Sequence, residues 1–185
     1  MRTNALPVCG GLTLAELLAS LAILSVLAAA GWPAYTGLLA RQTVDQAVDR
    51  LAASLALARS MAMARRVDVA LQPLDGRQDL DQGWQVVAAS EAGAAGAAAT
   101  VLSVVEPAAP CLRVALRQTA RGSHAVRFTA VGYSRSEQGG FQAATFSLSC
   151  RGAQRQVRLG AQGRIRLCTP ERDSDCDAAD GPEPP

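Results

Sequence analysis

The chain contains no lysine: all 18 of its basic residues are arginine, a usage that reads mainly as genome-composition bias. It has one histidine, His124, and no Cys-x-x-Cys pair among its five cysteines. Zinc sites need closely spaced Cys and His ligands, so this composition argues against a metal centre. Aromatic residues make up only 4% of the chain, so its core must rest on Ala, Leu and Val. There is no phosphate-binding glycine loop, and Ser123-His124 lacks the third partner that would complete a nucleophile and its base. The expectation is a protein with no catalytic residues, no cofactor, no metal and no small-molecule substrate.

At 185 residues, one domain with an appendage is the natural size class. The charges are segregated. Residues 111–168 hold ten arginines and one acid, Glu137. The last stretch, residues 169–185, holds Glu171, Asp173, Asp175, Asp177, Asp180 and Glu183 against Arg172 alone. A basic body therefore carries an acidic tail, which by composition reads as a solvating, disordered end.

Leu12 to Ala30 is apolar except for Thr13, Glu16, Ser20 and Ser25. As a helix it would be about 28 Å long, close to the thickness of a bilayer's hydrocarbon core. A cleaved secretory signal accounts for Arg2, the apolar run and the small residues before Gly31, but not for the run's length or for Glu16. A plain membrane anchor leaves that carboxylate equally unexplained, because a charge inside the bilayer costs a few kcal/mol. A lipid-modified cysteine is excluded by order, since Cys9 precedes the run.

The stretch Gly10-Gly11-Leu12-Thr13-Leu14-Ala15-Glu16-Leu17 resembles the processing site of type IV pilins and type II secretion pseudopilins. The resemblance implies cleavage by a prepilin peptidase between Gly11 and Leu12, methylation of the new Leu12 amine, and pairing of Glu16 with such an amine in the assembled filament. It also implies insertion in the bacterial inner membrane with a periplasmic head, then a place near the tip of a pilus or pseudopilus among other major and minor pilins or pseudopilins.

Gly31-Trp32-Pro33-Ala34-Tyr35 follows, and pilin-like proteins commonly carry a proline at the place of Pro33. Val44, Val48, Leu51, Leu55, Ala58 and Ala62 then recur at spacings of four and three, the mark of one apolar helix stripe. The reading is one helix over 12–66, apolar all round over 12–30 and amphipathic over 31–66. Leu-Ala-Arg-Ser at 57–60, Gly83-Trp84, Arg127–Gly132, Phe146–Cys150 and Gly163–Cys168 resemble the GspH/FimT subgroup of minor pilins.

The head is expected over 67–168, with strands at Val67–Leu71, Trp84–Val87, Val101–Val105, Leu112–Arg117, Ala125–Thr129, Thr145–Ser149, Gln156–Leu159 and Arg164–Leu167. Asp75-Gly76, Asp81–Gly83 and Gly139-Gly140 read as turns, and the Ala/Gly-rich run from Ala88 to Thr100 as a loop. A long helix on a mostly antiparallel sheet is an α+β fold. With Cys9 removed with the leader, four cysteines remain and allow three connectivities. Cys150–Cys168 is favoured, because both flank strand candidates joined near Gly160–Gly163, and Cys111–Cys176 would be left over. Finally, Arg155, Arg158, Arg164 and Arg166 form a basic cluster suited to phosphate oxygens. Gly163–Arg166 resembles a Gly-Arg-x-Arg element of some FimT-type pilins involved in DNA uptake, which adds DNA as an alternative partner.

Overall fold

The computed structural model describes residues 13–74, 77, 79–89, 99–119, 124–136, 139–173 and 176. Gly11, Leu12, Asp75-Gly76, the run from 90 to 98, Ser123 and most of the acidic tail lie outside the described residues. The chain divides into two units, residues 1–38 and 39–185.

In the first unit the described chain is helical from Leu14 onward, as the start of α1 (Leu14–Arg65). Every described residue from Thr13 to Tyr35 is exposed, including Leu14, Leu17, Leu18, Leu21, Ile23, Leu24, Val26 and Leu27. The helix is long and apolar enough to cross a membrane. Its hydroxyls are satisfied locally: Ser20, Ser25 and Thr36 donate to the carbonyls of Leu17, Ala22 and Pro33. Pro33 lies inside the helix without ending it.

In the second unit the expected stripe is the buried face of α1. Val44, Val48, Leu51, Leu55, Ala58 and Ala62 are all buried. The helix ends at Arg65, and Arg66 takes a left-handed backbone (φ 56°) that turns the chain out of it.

The antiparallel head is built as two sheets, both antiparallel throughout. β1 (Val69–Pro73), β2 (Trp84–Ala88), β3 (Thr100–Val105), β5 (Val126–Phe128) and β6 (Ser134–Arg135) form one, in the order β3-β2-β1-β5-β6. β4 (Arg113–Gln118), β7 (Ala144–Cys150), β8 (Ala153–Leu159) and β9 (Ile165–Cys168) form the other, in the order β4-β7-β8-β9. All eight expected strands are present within a few residues of their expected ends. β6 was not anticipated, because two residues carry no alternation. The Gly139-Gly140 turn holds: Gly139 N–H donates to Ser136 O, and Arg135 bridges Phe141.

One core joins both sheets to the helix. Trp84, Phe128 and Phe146 are its largest buried side chains. Trp84 Nε1 donates to Ser54 Oγ at 3.0 Å, and Ser54 Oγ donates to Arg50 O, which settles a polar pair in an apolar interior.

The disulfides also differ from the expectation. Cys111 bonds Cys150 (Cα–Cα 5.1 Å) and Cys168 bonds Cys176 (Cα–Cα 5.8 Å). The reason lies in the turn after Cys150. Arg151 (φ 45°) and Gly152 (φ 85°) form a two-residue hairpin, so β8 doubles back beside β7 with Cys150 opposite Ala153. Cys168, opposite Gln156, is then separated from Cys150 by a whole intervening strand. On the other side β4 runs beside β7 with Arg113 opposite Ser149, which carries Cys111 to Cys150.

Candidate functional site

Two places concentrate the chemistry. The first is the helix start. Thr13 precedes the first helical residue, and Glu16 N–H donates to both its carbonyl oxygen and, at 3.3 Å, its hydroxyl. Thr13-x-x-Glu16 is thus an N-cap with an acid at the third helical position, where the helix dipole favours negative charge. Glu16 is the one charged residue between Leu14 and Leu38, and its carboxylate has no partner among the described residues.

The second place is the outer face of the four-stranded sheet. Arg117 stands opposite Thr145, Thr145 opposite Arg158, and Arg158 opposite Arg166. Opposite residues share a face, so these four side chains form one row across the strands. With strands about 4.8 Å apart the row is about 14 Å long. Arg164, two residues before Arg166, lies on the same face. These arginines line one open groove together with Arg172 and Asp173.

Arg155 is not part of this row. It has the opposite parity on β8, pairs with Asp45 of α1 at 2.9 Å and donates to Thr169 Oγ1 at 3.0 Å. So three of the four arginines singled out from sequence come together, and Arg155 ties β8 to the helix. Arg117, 47 residues from Arg164 in the chain, was missed; only the β4–β7 register brings it into line.

Gly163 holds the turn before Arg164. Its φ is +77°, and a Cβ there would run into the Gly132 carbonyl oxygen. Arg59 Nε donates to that same oxygen at 3.1 Å, so the helix, the 129–133 turn and the β8–β9 turn meet at one point. Gly163→Ala is expected to cost about 2 kcal/mol, from left-handed strain and the collision. Thermal melts of variant and parent check this, and an unchanged melting temperature refutes it. His124 is exposed and sits in no cluster of metal-ligating residues among those described.

The family described as Type II transport protein GspH matches residues 47–172, more than half of the chain. The chain belongs to the GspH family. The prokaryotic N-terminal methylation motif matches residues 7–32, the stretch that contains Gly11, Leu12 and Glu16. Among solved structures, this GspH-family chain is similar to the type IV minor pilin FimU of Pseudomonas aeruginosa. The identity is 24% and the TM-score 0.53, over 69% of this chain and 90% of that one. It is also similar to the minor pseudopilin EpsH of the type 2 secretion system of Vibrio cholerae, at 12% identity and TM-score 0.51, over 69% and 98%. At these identities the likeness speaks to the fold: one long helix on antiparallel sheets, as in pilins. No curated protein matches the sequence. GspH-family membership makes the chain one of the minor pilins and pseudopilins, a family of structural subunits.

Proposed function

We propose that this chain is a minor pilin or pseudopilin subunit that is trimmed by a prepilin peptidase between Gly11 and Leu12, methylated on Leu12, held in the inner membrane by its apolar helix and then assembled into a filament near its tip. The observation that carries the reading is the helix itself. Its first half exposes apolar residues on every side and holds one charge, while its second half buries a stripe in the head. An apolar surface of that extent needs hydrocarbon or other helices around it. Neighbouring apolar helices provide no register of their own. Glu16 does, because a carboxylate in that setting is stable only opposite a positive charge. Cleavage would create one at the Leu12 amine of a neighbouring subunit, so the pair fixes the stagger between subunits. Pro33 removes one helix donor and leaves a place where the helix can adapt during packing. Mass spectrometry of the mature chain tests the reading. A first residue of Leu12 with one added methyl group is expected, and any other start removes the partner of Glu16.

A second reading, binding of DNA during uptake, is favoured by the row of Arg117, Arg158 and Arg166 with Arg164 beside it. Guanidinium groups on one face would grip phosphates without reading bases. The combined change Arg158→Gln, Arg164→Gln and Arg166→Gln is expected to weaken duplex binding and lower the salt slope by about one for each phosphate no longer neutralised. It should leave assembly intact. Affinity equal to the parent's in a duplex-binding titration rejects this reading.

A further inference from the structure

The chain leaves β6 of the five-stranded sheet at Arg135 and enters β7 of the four-stranded sheet at Ala144. Two buried polar groups lie on this crossing. Arg135 stands opposite Phe141 in an antiparallel bridge. Ser134 and Gln142 are the next pair in the same register, and Gln142 N–H donates to Ser134 O at 3.0 Å. Opposite residues share a face, and successive residues alternate. Arg135 and Phe141 face out, with the guanidinium 4.7 Å from the ring centroid. Ser134 and Gln142 face in, at 0% and 1% exposure. On its other side Ser134 stands opposite Phe128, which is fully buried. The backbone here is bonded, since Ser134 N–H also donates to Ala161 O at 2.9 Å. The side chains are not: Ser134 Oγ and Gln142 Nε2 have no hydrogen-bond partner among the described residues. Ser136, two residues on, shows the ordinary solution, because its hydroxyl accepts from Gly140 N–H at 3.2 Å. Native interiors leave few such atoms unsatisfied, because burial strips away the water they bonded in the unfolded chain.

We propose that Ser134 Oγ and Gln142 Nε2 together bind one internal water molecule at this crossing between the sheets. The chemistry of the pair selects water. Gln142 Nε2 offers only donors, while a serine hydroxyl can donate or accept. The bridging molecule must therefore accept from the amide and exchange a hydrogen bond with the hydroxyl. Water does both, and it is small enough to sit between side chains whose Cβ atoms are about 5 Å apart. An internal water typically bonds two to four polar groups that lack other partners, and this pair supplies two. An ion does not fit: amide N–H groups repel a cation, and neither residue carries a charge to balance an anion. One molecule thus satisfies two neutral groups at once. It also ties β6, the edge of the five-stranded sheet, to the segment that leads into β7 of the other.

The test uses the full chain in detergent micelles. A crystal structure grown from that material is expected to show a density peak about 2.7–3.2 Å from both atoms. Direct contact between Nε2 and Oγ, or no peak between them, overturns the proposal. A cycle of thermal melts gives an independent answer. Ser134→Ala and Gln142→Met each remove one end of the bridge and leave the other polar group buried without it. Each is expected to lower the melting temperature by about 3 °C. Together they leave no polar group to satisfy, so the double variant should melt within about 1 °C of the parent. Losses that simply add, to about 6 °C, overturn the proposal, because they would report two groups with separate partners. Unchanged melts in both single variants overturn it as well.

Discussion

Glu16→Gln is expected to abolish filament incorporation while leaving the subunit processed and in the membrane. The change keeps shape and removes charge. On the proposed pairing it would leave a neighbour's Leu12 amine without its counter-charge in an apolar setting, a loss of about 3 kcal/mol or more. At 1.4 kcal/mol per factor of ten, that is at least about a hundredfold in each association step. Blots of membrane and sheared-filament fractions read the two pools separately. The N-cap sharpens the test. Glu16 also sits where a helix dipole favours an acid, an effect of about 0.5 kcal/mol that Gln would forfeit without stopping assembly. Thr13→Ala removes the cap and keeps the carboxylate, so it should cost helix stability of about 1 kcal/mol and spare incorporation. Parental incorporation of the Gln variant would show that the acid serves the helix end alone.

Trp84→Ala is expected to be the most damaging single change in the head. Trp84 is fully buried on β2 and touches the helix through its bond to Ser54. Deleting the ring should cost about 4 kcal/mol through reduced burial and a cavity, a drop of about 12 °C in melting temperature for a head of this size. Trp84→Phe separates the terms. It keeps most of the apolar volume and gives up the N–H, and Ser54 still donates to Arg50 O, so a loss of about 1.5 kcal/mol is expected. Thermal unfolding followed by far-ultraviolet circular dichroism gives both values. A Trp84→Ala melt within about 3 °C of the parent's would mean that α1 and β2 are not held together by this side chain.

Much of the fold is readable along the chain because it rests on local period. The stripe from Val44 to Ala62 repeats at helical spacing and is the buried face. Some strand segments alternate, and Ala144–Cys150 does so without a break: 144, 146, 148 and 150 point in and 145, 147 and 149 point out. What could not be read was register, which depends on partners far away in sequence. Nothing near Arg117 announces that it will stand in line with Arg158 and Arg166. The disulfide error has the same root. The tight turn after Cys150 needs Arg151 in a left-handed conformation, uncommon for a residue with a side chain, so the sequence marks it weakly. Without that turn Cys150 and Cys168 look like neighbours. The Thr13-x-x-Glu16 cap is visible as a pattern, yet an acid inside an apolar run points first to a charge partner and masks its local role. Arg59 belongs to a recognisable run, but its bond to Gly132 O spans 73 residues and emerges only once the turns are in place.

Both disulfides lie in the four-stranded sheet or at its end, while α1 and the five-stranded sheet contain no half-cystine among the described residues. The two halves of the head therefore differ in what they require of their surroundings. One is held by the shared core and its ladder hydrogen bonds, with no covalent brace among its described residues. The other carries both bonds, which form only where thiols are oxidised. A chain kept reduced would give up both covalent ties on the side that bears the arginine row and none among the described residues of the helix or the five-stranded sheet.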